Sequence, residues 1–185
     1  MPDDDKSVAG HADFFENIKG DSIVRISTTL GGNHPHLPLI GRVASEWTHF
    51  ENILDEIIIE LSEIPEEIAL CITRQIMGAT PRFKMIESLG NLKEVDTDLL
   101  RKARKLKSDQ YETGEQRNRI VHDPWFVVQE AGRRNEAPET TQLKTAGYTP
   151  VPESEIIKTI DSIKDLIRRA AELQIEFRAR PRTSR

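Results

Sequence analysis

One cysteine in 185 residues leaves no internal disulfide, and Cys71, set in Ile68-Ala69-Leu70-Cys71-Ile72, is expected to be a small buried hydrophobe. The N-terminus, Met1-Pro2-Asp3-Asp4-Asp5, has neither the basic start nor the apolar run of a secretory signal, so a cytoplasmic protein is expected. The longest purely aliphatic stretch, Ile57-Ile58-Ile59, falls far short of the roughly 20 residues that span a bilayer, and no membrane contact is expected. Aromatics make up only 5% and the net charge is −5, which opposes non-specific binding to nucleic acid; any such contact must be local. There is no glycine-rich phosphate loop, no paired-cysteine metal set, no serine-nucleophile elbow and no internal repeat. Most enzyme classes thereby lose support, and neither a cofactor nor a metal site is expected.

What is present is helical periodicity. The length suffices for one ordinary domain with its own core. Leu39, Val43, Trp47, Phe50, Ile53, Leu54, Ile57, Ile58 and Leu61 recur at three- and four-residue steps and predict a long amphipathic helix from Leu37. Pro65-Glu66-Glu67 reads as the start of a second helix reaching about Met77. Gly78 ends it, and Thr80-Pro81 begins a third over about 81–89 with Phe83, Ile86 and Leu89 inward. Asp96 is a plausible cap for a fourth, on which Leu99, Leu100, Ala103, Leu106, Tyr111, Ile120 and Val121 mark an interrupted apolar face. Pro124 should stop that helix at His122 or Asp123. Trp125-Phe126-Val127-Val128 and Thr141-Gln142-Leu143-Lys144, around Gly132–Pro138, suggest a short β-hairpin. Pro152-Glu153-Ser154-Glu155 opens a last helix with Ile156, Ile157, Ile160, Ile163, Leu166, Ile167, Ala170 and Leu173 on one stripe. The expected fold is all-α, an antiparallel bundle of four to five helices over 37–178 with a small hairpin insertion at about 125–150. Residues 1–36, with Gly31-Gly32-Asn33-His34-Pro35-His36, are expected to be a flexible arm in which the histidines lie in a solvated loop, and 179–185 a basic tail.

The polar end of helix four, Glu115-Gln116-Arg117-Asn118-Arg119-Ile120-Val121-His122-Asp123-Pro124, concentrates the chemistry. At about 100° per residue, Asn118 and His122 share one face while Arg117 is displaced to its side. Upstream, Arg101-Lys102-Ala103-Arg104-Lys105-Leu106-Lys107 puts five cations in seven residues, either a phosphate-steering patch or a solvated helix face.

Arg117-Asn118-Arg119-Ile120-Val121-His122 resembles the motif of the HEPN superfamily, in which an arginine, usually followed by a polar residue, precedes a histidine by four to six intervening positions near the end of a late helix. Glu46-Trp47 and Leu54-Asp55 on the first helix, Pro81-Arg82-Phe83 opening the third, and His122-Asp123-Pro124-Trp125 extend the resemblance over roughly residues 38 to 126. The resemblance implies a metal-independent endoribonuclease acting as a homodimer with a shared active site, and membership among toxins or defence effectors, with an antitoxin or other protein as a possible partner. It equally admits members that have lost catalysis and bind a protein or nucleotide.

The residue types suit the cleavage. Breaking RNA requires proton removal from a 2′-hydroxyl, stabilisation of a charged phosphorane, and protonation of the departing 5′-oxygen. His122, at the negative end of a helix, can hold or donate a proton; Arg117 offers a planar fork to phosphate oxygens; Asn118 can orient either. Arg119, Arg101, Lys102, Arg104 and Lys105 are the candidate RNA contacts. Against this, His122-Asp123 can be a helix C-cap, Arg117 and Arg119 an exposed charged face, and Trp125 a core residue rather than a base-stacking platform.

Overall fold

The computed structural model describes residues 14–16, 25–130, 139–144 and 147–180, with side chains described at 30–127, 142 and 150–180. Among these residues the chain is mostly helical, with five helices: α1 (His36–Ser62), α2 (Glu66–Thr73), α3 (Ala79–Leu92), α4 (Thr97–His122) and α5 (Glu153–Ala179). Five strands accompany them: β1 (Phe14–Glu16), β2 (Arg25–Thr29), β3 (Trp125–Glu130), β4 (Glu139–Lys144) and β5 (Gly147–Pro150). The chain divides into two compact units, Pro38–Val121 with Ser154–Arg185, and Met1–Leu37 with His122–Glu153.

The first unit is a helical bundle. Val43, Trp47, Phe50, Ile53, Leu54, Ile57, Ile58 and Leu61 on α1 are buried, as their spacing requires of one helical stripe. They meet Phe83 and Ile86 of α3, Leu100, Ala103 and Leu106 of α4, and Ile156, Ile160, Ile163, Leu166, Ala170, Leu173 and Phe177 of α5 in the buried core. Ion pairs between helices give their directions. Lys107 reaches Glu87 and Gln110 reaches Thr80, so α4 runs against α3; Lys102 reaches Glu176 and Arg169 reaches Asp109, so α4 runs against α5 as well. Arg178 binds Glu56 and Arg180 binds Glu63, so α1 runs with α5. Gly90 lets α3 and α4 close, since a Cβ there would overlap Leu100 Cδ2.

Helix ends follow local chemistry. Asp96 Oδ1 accepts from the backbone N–H of Asp98 at 2.7 Å and of Leu99 at 3.3 Å, the expected N-cap of α4. The same helix stops at His122, two residues before Pro124. α2 is shorter than its sequence suggests: it ends at Thr73, and tight turns through Gln75 and Ile76 carry the chain to Gly78. Gly78, at φ +81°, is the N-cap of α3, so the helix starts at Ala79 without the expected Thr80 hydroxyl cap. Because α2 buries only Ala69 and Thr73, Cys71 is exposed rather than buried. Ile157, expected on the inner stripe of α5, is also exposed. No helix among the described residues is long and apolar enough to cross a membrane.

The second unit carries an antiparallel sheet in the order β1-β2-β3-β4-β5. The expected hairpin is present as β3 and β4, paired from Trp125 with Gln142 to Val128 with Glu139. β5 continues it, and β2 pairs along β3 from Arg25 with Glu130 to Thr29 with Phe126. The expectation that residues 1–36 form an arm without structure is therefore corrected at 14–16 and 25–29: Arg25-Ile26-Ser27-Thr28-Thr29 is β-branched and finds its partner about a hundred positions away, beyond the reach of local periodicity. The rest of that arm up to residue 24, the expected turn at 131–138 and the tail beyond 180 lie outside the described residues. His36 is buried in this unit instead of solvated, its Nε2 donating to Val151 O at 2.9 Å and its ring meeting Trp125 edge-on at 5.4 Å.

Candidate functional site

The inner face of α4 repeats as Leu99, Ala103, Leu106, Gln110 and Thr113, all buried, and three- and four-residue steps continue it to Arg117 and Ile120. Arg117 thus occupies a core-facing position, and its aliphatic stem is half-buried. Its guanidinium lies 5.9 Å from the centre of the Trp47 ring, within cation–π range, and its Nη1 donates to Asn118 Oδ1 at 2.9 Å. Trp47 is fixed in turn, because its Nε1 donates to Glu51 Oε1 at 2.9 Å. Gly114 lies close against it: a Cβ there would stand 3.1 Å from Trp47 Cη2, so the indole would have to give by a few tenths of an ångström.

A second arginine braces the entry of α3. Arg82, buried on α3, grips Asp55 through Nε at 2.8 Å and Nη2 at 3.1 Å, and its Nη1 donates to Gly78 O at 3.0 Å. Glu51 stands 3.8 Å from the same guanidinium. One buried cation thereby ties α1 to α3 and pins the turn that enters α3.

Beside these residues is a pocket of about 260 Å³. Arg117, Asn118 and Trp47 line it together with the entering turn of α3, Gly78-Ala79-Thr80-Pro81. No side chain caps that helix start, and free N–H groups at the positive end of a helix attract anions. Met77 and Tyr111, both strongly exposed, border the same pocket, and Glu51 and Glu115 add two carboxylates to its lining. The arrangement offers a phosphate a planar cation and backbone N–H groups, with those carboxylates beside them.

His122 ends α4, exposed, four positions past Asn118, and is not among the residues lining this pocket. Arg119 is exposed. The basic cluster separates. Arg101 pairs with Asp98, Lys102 with Glu176, Lys105 with Asp109, and Lys107 with Glu87. Lys102 and Lys105 line a pocket shared with Arg169, Glu172 and Glu176 of α5, in which cations and carboxylates alternate. Arg104 lines a different hollow, beside Tyr111. Asp109 is held below its ordinary carboxyl value, first by the hydrogen bond from Arg169 and further by Lys105.

Trp47 as the platform for Arg117, and Met77, Gln110 and Tyr111 as pocket residues, were not legible as site residues in the sequence. Tyr111 was expected on the inner face of α4 and is 67% exposed instead. The signal was the stripe itself: the steps Leu106, Gln110, Thr113 pass Tyr111 by one residue. Among the described residues, no three His, Cys, Asp or Glu side chains converge as a metal-ligand group. Comparison with protein-family models, with curated proteins and with solved structures finds no match to this chain.

Proposed function

We propose that the chain is a metal-independent endoribonuclease of HEPN type, working as a homodimer whose two motifs share one active site. The observation that carries this reading is the pocket lined by Arg117, Asn118 and the uncapped start of α3, within the motif that ends in His122. In the proposed reaction the 2′-oxygen attacks the adjacent phosphorus as its proton passes to a base, the bond from phosphorus to the 5′-oxygen breaks, and an acid returns a proton to that oxygen. His122 serves as one of the two proton carriers and its counterpart in the second protomer as the other. Arg117 spreads positive charge over the non-bridging oxygens in the transition state, and Asn118 orients the phosphate. The products are a 2′,3′-cyclic phosphate and a 5′-hydroxyl. Such a nuclease fits a toxin or defence effector held in check by a protein partner in the cytoplasm.

The test is single-stranded RNA incubated with purified protein in excess chelator, with the product ends identified. Cyclic phosphate ends that appear in chelator, and a block at any position whose 2′-hydroxyl is replaced by hydrogen, support the reading. Cleavage that requires added metal, or none at all, removes it.

A second reading is a catalytically silent scaffold of the same type that binds a protein or nucleotide. It is favoured by one observation: Arg117 already lies over Trp47 at cation–π range and bonds Asn118, which gives both residues a packing role.

A further inference from the structure

Two hollows on the helical unit adjoin. The pocket at Arg117 and Asn118 shares Thr80, Gln110 and Tyr111 with a second of about 610 Å³, which runs along α4 to Arg104 and Lys107. Together they form a groove beside α4, and thirteen residues of helix from Arg104 to Arg117 set its length at about 20 Å, a span of a few nucleotides. Tyr111 stands at its middle, 67% exposed, with no hydrogen bond among the described residues to hold its ring against the protein. Arg104 stands at its far end. Of the cations in 101–107 it alone makes no ion pair among the described residues, whereas Lys107 beside it is engaged by Glu87 at 3.2 Å. A helix surface that satisfies its other cations and leaves one arginine and one aromatic ring facing the same groove has the two groups that single-stranded nucleic acid uses, a phosphate contact and a stacking face.

We propose that this groove is the track for single-stranded RNA: Tyr111 stacks a base, Arg104 binds a phosphate, and the strand continues to the phosphate seat at Arg117 and Asn118. The proposal rests on the cleavage reading only for that last phosphate. Length dependence follows from the geometry. A dinucleotide occupies the Arg117 seat alone, while a tetranucleotide reaches Tyr111 and Arg104. Duplex RNA, whose bases are stacked on one another, cannot offer a face to Tyr111.

The experiment measures fluorescence anisotropy of the full chain with 2′-O-methyl oligouridylates, which bind and cannot be cut, as dinucleotide, tetranucleotide and octanucleotide over a series of salt concentrations. Wild type should bind the tetranucleotide more tightly than the dinucleotide. Tyr111→Ala should lose about tenfold or more for the tetranucleotide and Tyr111→Phe should not. Arg104→Gln should lower the slope of log affinity against log salt by about 0.7, one phosphate contact, with Arg104→Lys retaining it. Both side chains are exposed, so melting temperatures should match wild type. Equal affinity of Tyr111→Ala, Arg104→Gln and wild type for the longer probes overturns the track and leaves the cleavage reading standing. Loss of affinity in both variants, with wild type failing to cut RNA, keeps the track and removes the cleavage reading. Absence of wild-type binding to every probe, or equal binding of a duplex, overturns the track.

Discussion

Arg117 in the pocket and Arg82 beside it differ in what surrounds them, and their substitution should differ accordingly. Arg82 is a buried cation between Asp55 and Glu51. Arg82→Met leaves two poorly solvated carboxylates facing each other, and the expected cost is about 3–5 kcal/mol in urea denaturation. Arg117 is half-buried and its charge faces the pocket. Arg117→Lys keeps the charge and loses the planar fork and the stack on Trp47, so the fold should survive while cleavage falls by a factor on the order of 10². Sequence spacing gave Arg117, Asn118 and His122 their relative positions on the helix, since helical geometry follows from residue number alone. It could not give Trp47, Met77 or Gly78, because what brings them beside Arg117 is packing between helices far apart in the chain. Nor could it separate Arg104 from its basic neighbours: the partners Asp98, Glu176, Asp109 and Glu87 sit on three different helices.

Individual elements carry the next set of expectations. Gly78 enters α3 at φ +81° and ψ 167°, a region essentially reserved for glycine, where another residue is strained by about 1–3 kcal/mol. Gly78→Ala should lower the melting temperature by at least about 2–4 °C, the shift expected per kcal/mol in a chain of this size, and disturb the phosphate seat at the same time. The contact of α4 with α5 should respond to acid. Asp109 is held below its ordinary value by Arg169, so the folded state releases that proton more readily than the unfolded chain. Its stabilising effect is complete above the ordinary carboxyl value near 3.8 and is lost as pH falls through the lowered one. Asp109→Asn should accordingly melt below wild type near neutral pH, and the gap should close in acid. Both ends of α4 and the start of α5 were legible to within a residue or two from Asp96, Pro124 and Pro152, since caps and prolines act locally. α2 was overestimated because Ile76 and Met77 continue its apolar pattern without continuing its hydrogen bonds.

Across the whole molecule, apolar periodicity identified the bundle and its core, as the buried faces of α1, α4 and α5 show. The extent of the sheet was not legible, because β2 lies in the segment read as an arm and pairs with β3 across the length of the bundle sequence. With a single motif histidine per chain, the proposed cleavage needs two copies. Sedimentation should therefore show a dimer at micromolar concentration, and specific activity should fall on dilution through its dissociation range; a monomer of undiminished activity would contradict the shared site. The most direct test is the rate of RNA cleavage in chelator by wild type, His122→Ala and Arg117→Ala, each checked for unchanged melting and assembly. Removal of a proton carrier or of a transition-state charge partner should slow cleavage by about 10²- to 10⁴-fold in each variant. Wild type that leaves RNA intact, or variants that cut as fast as wild type, would contradict the account.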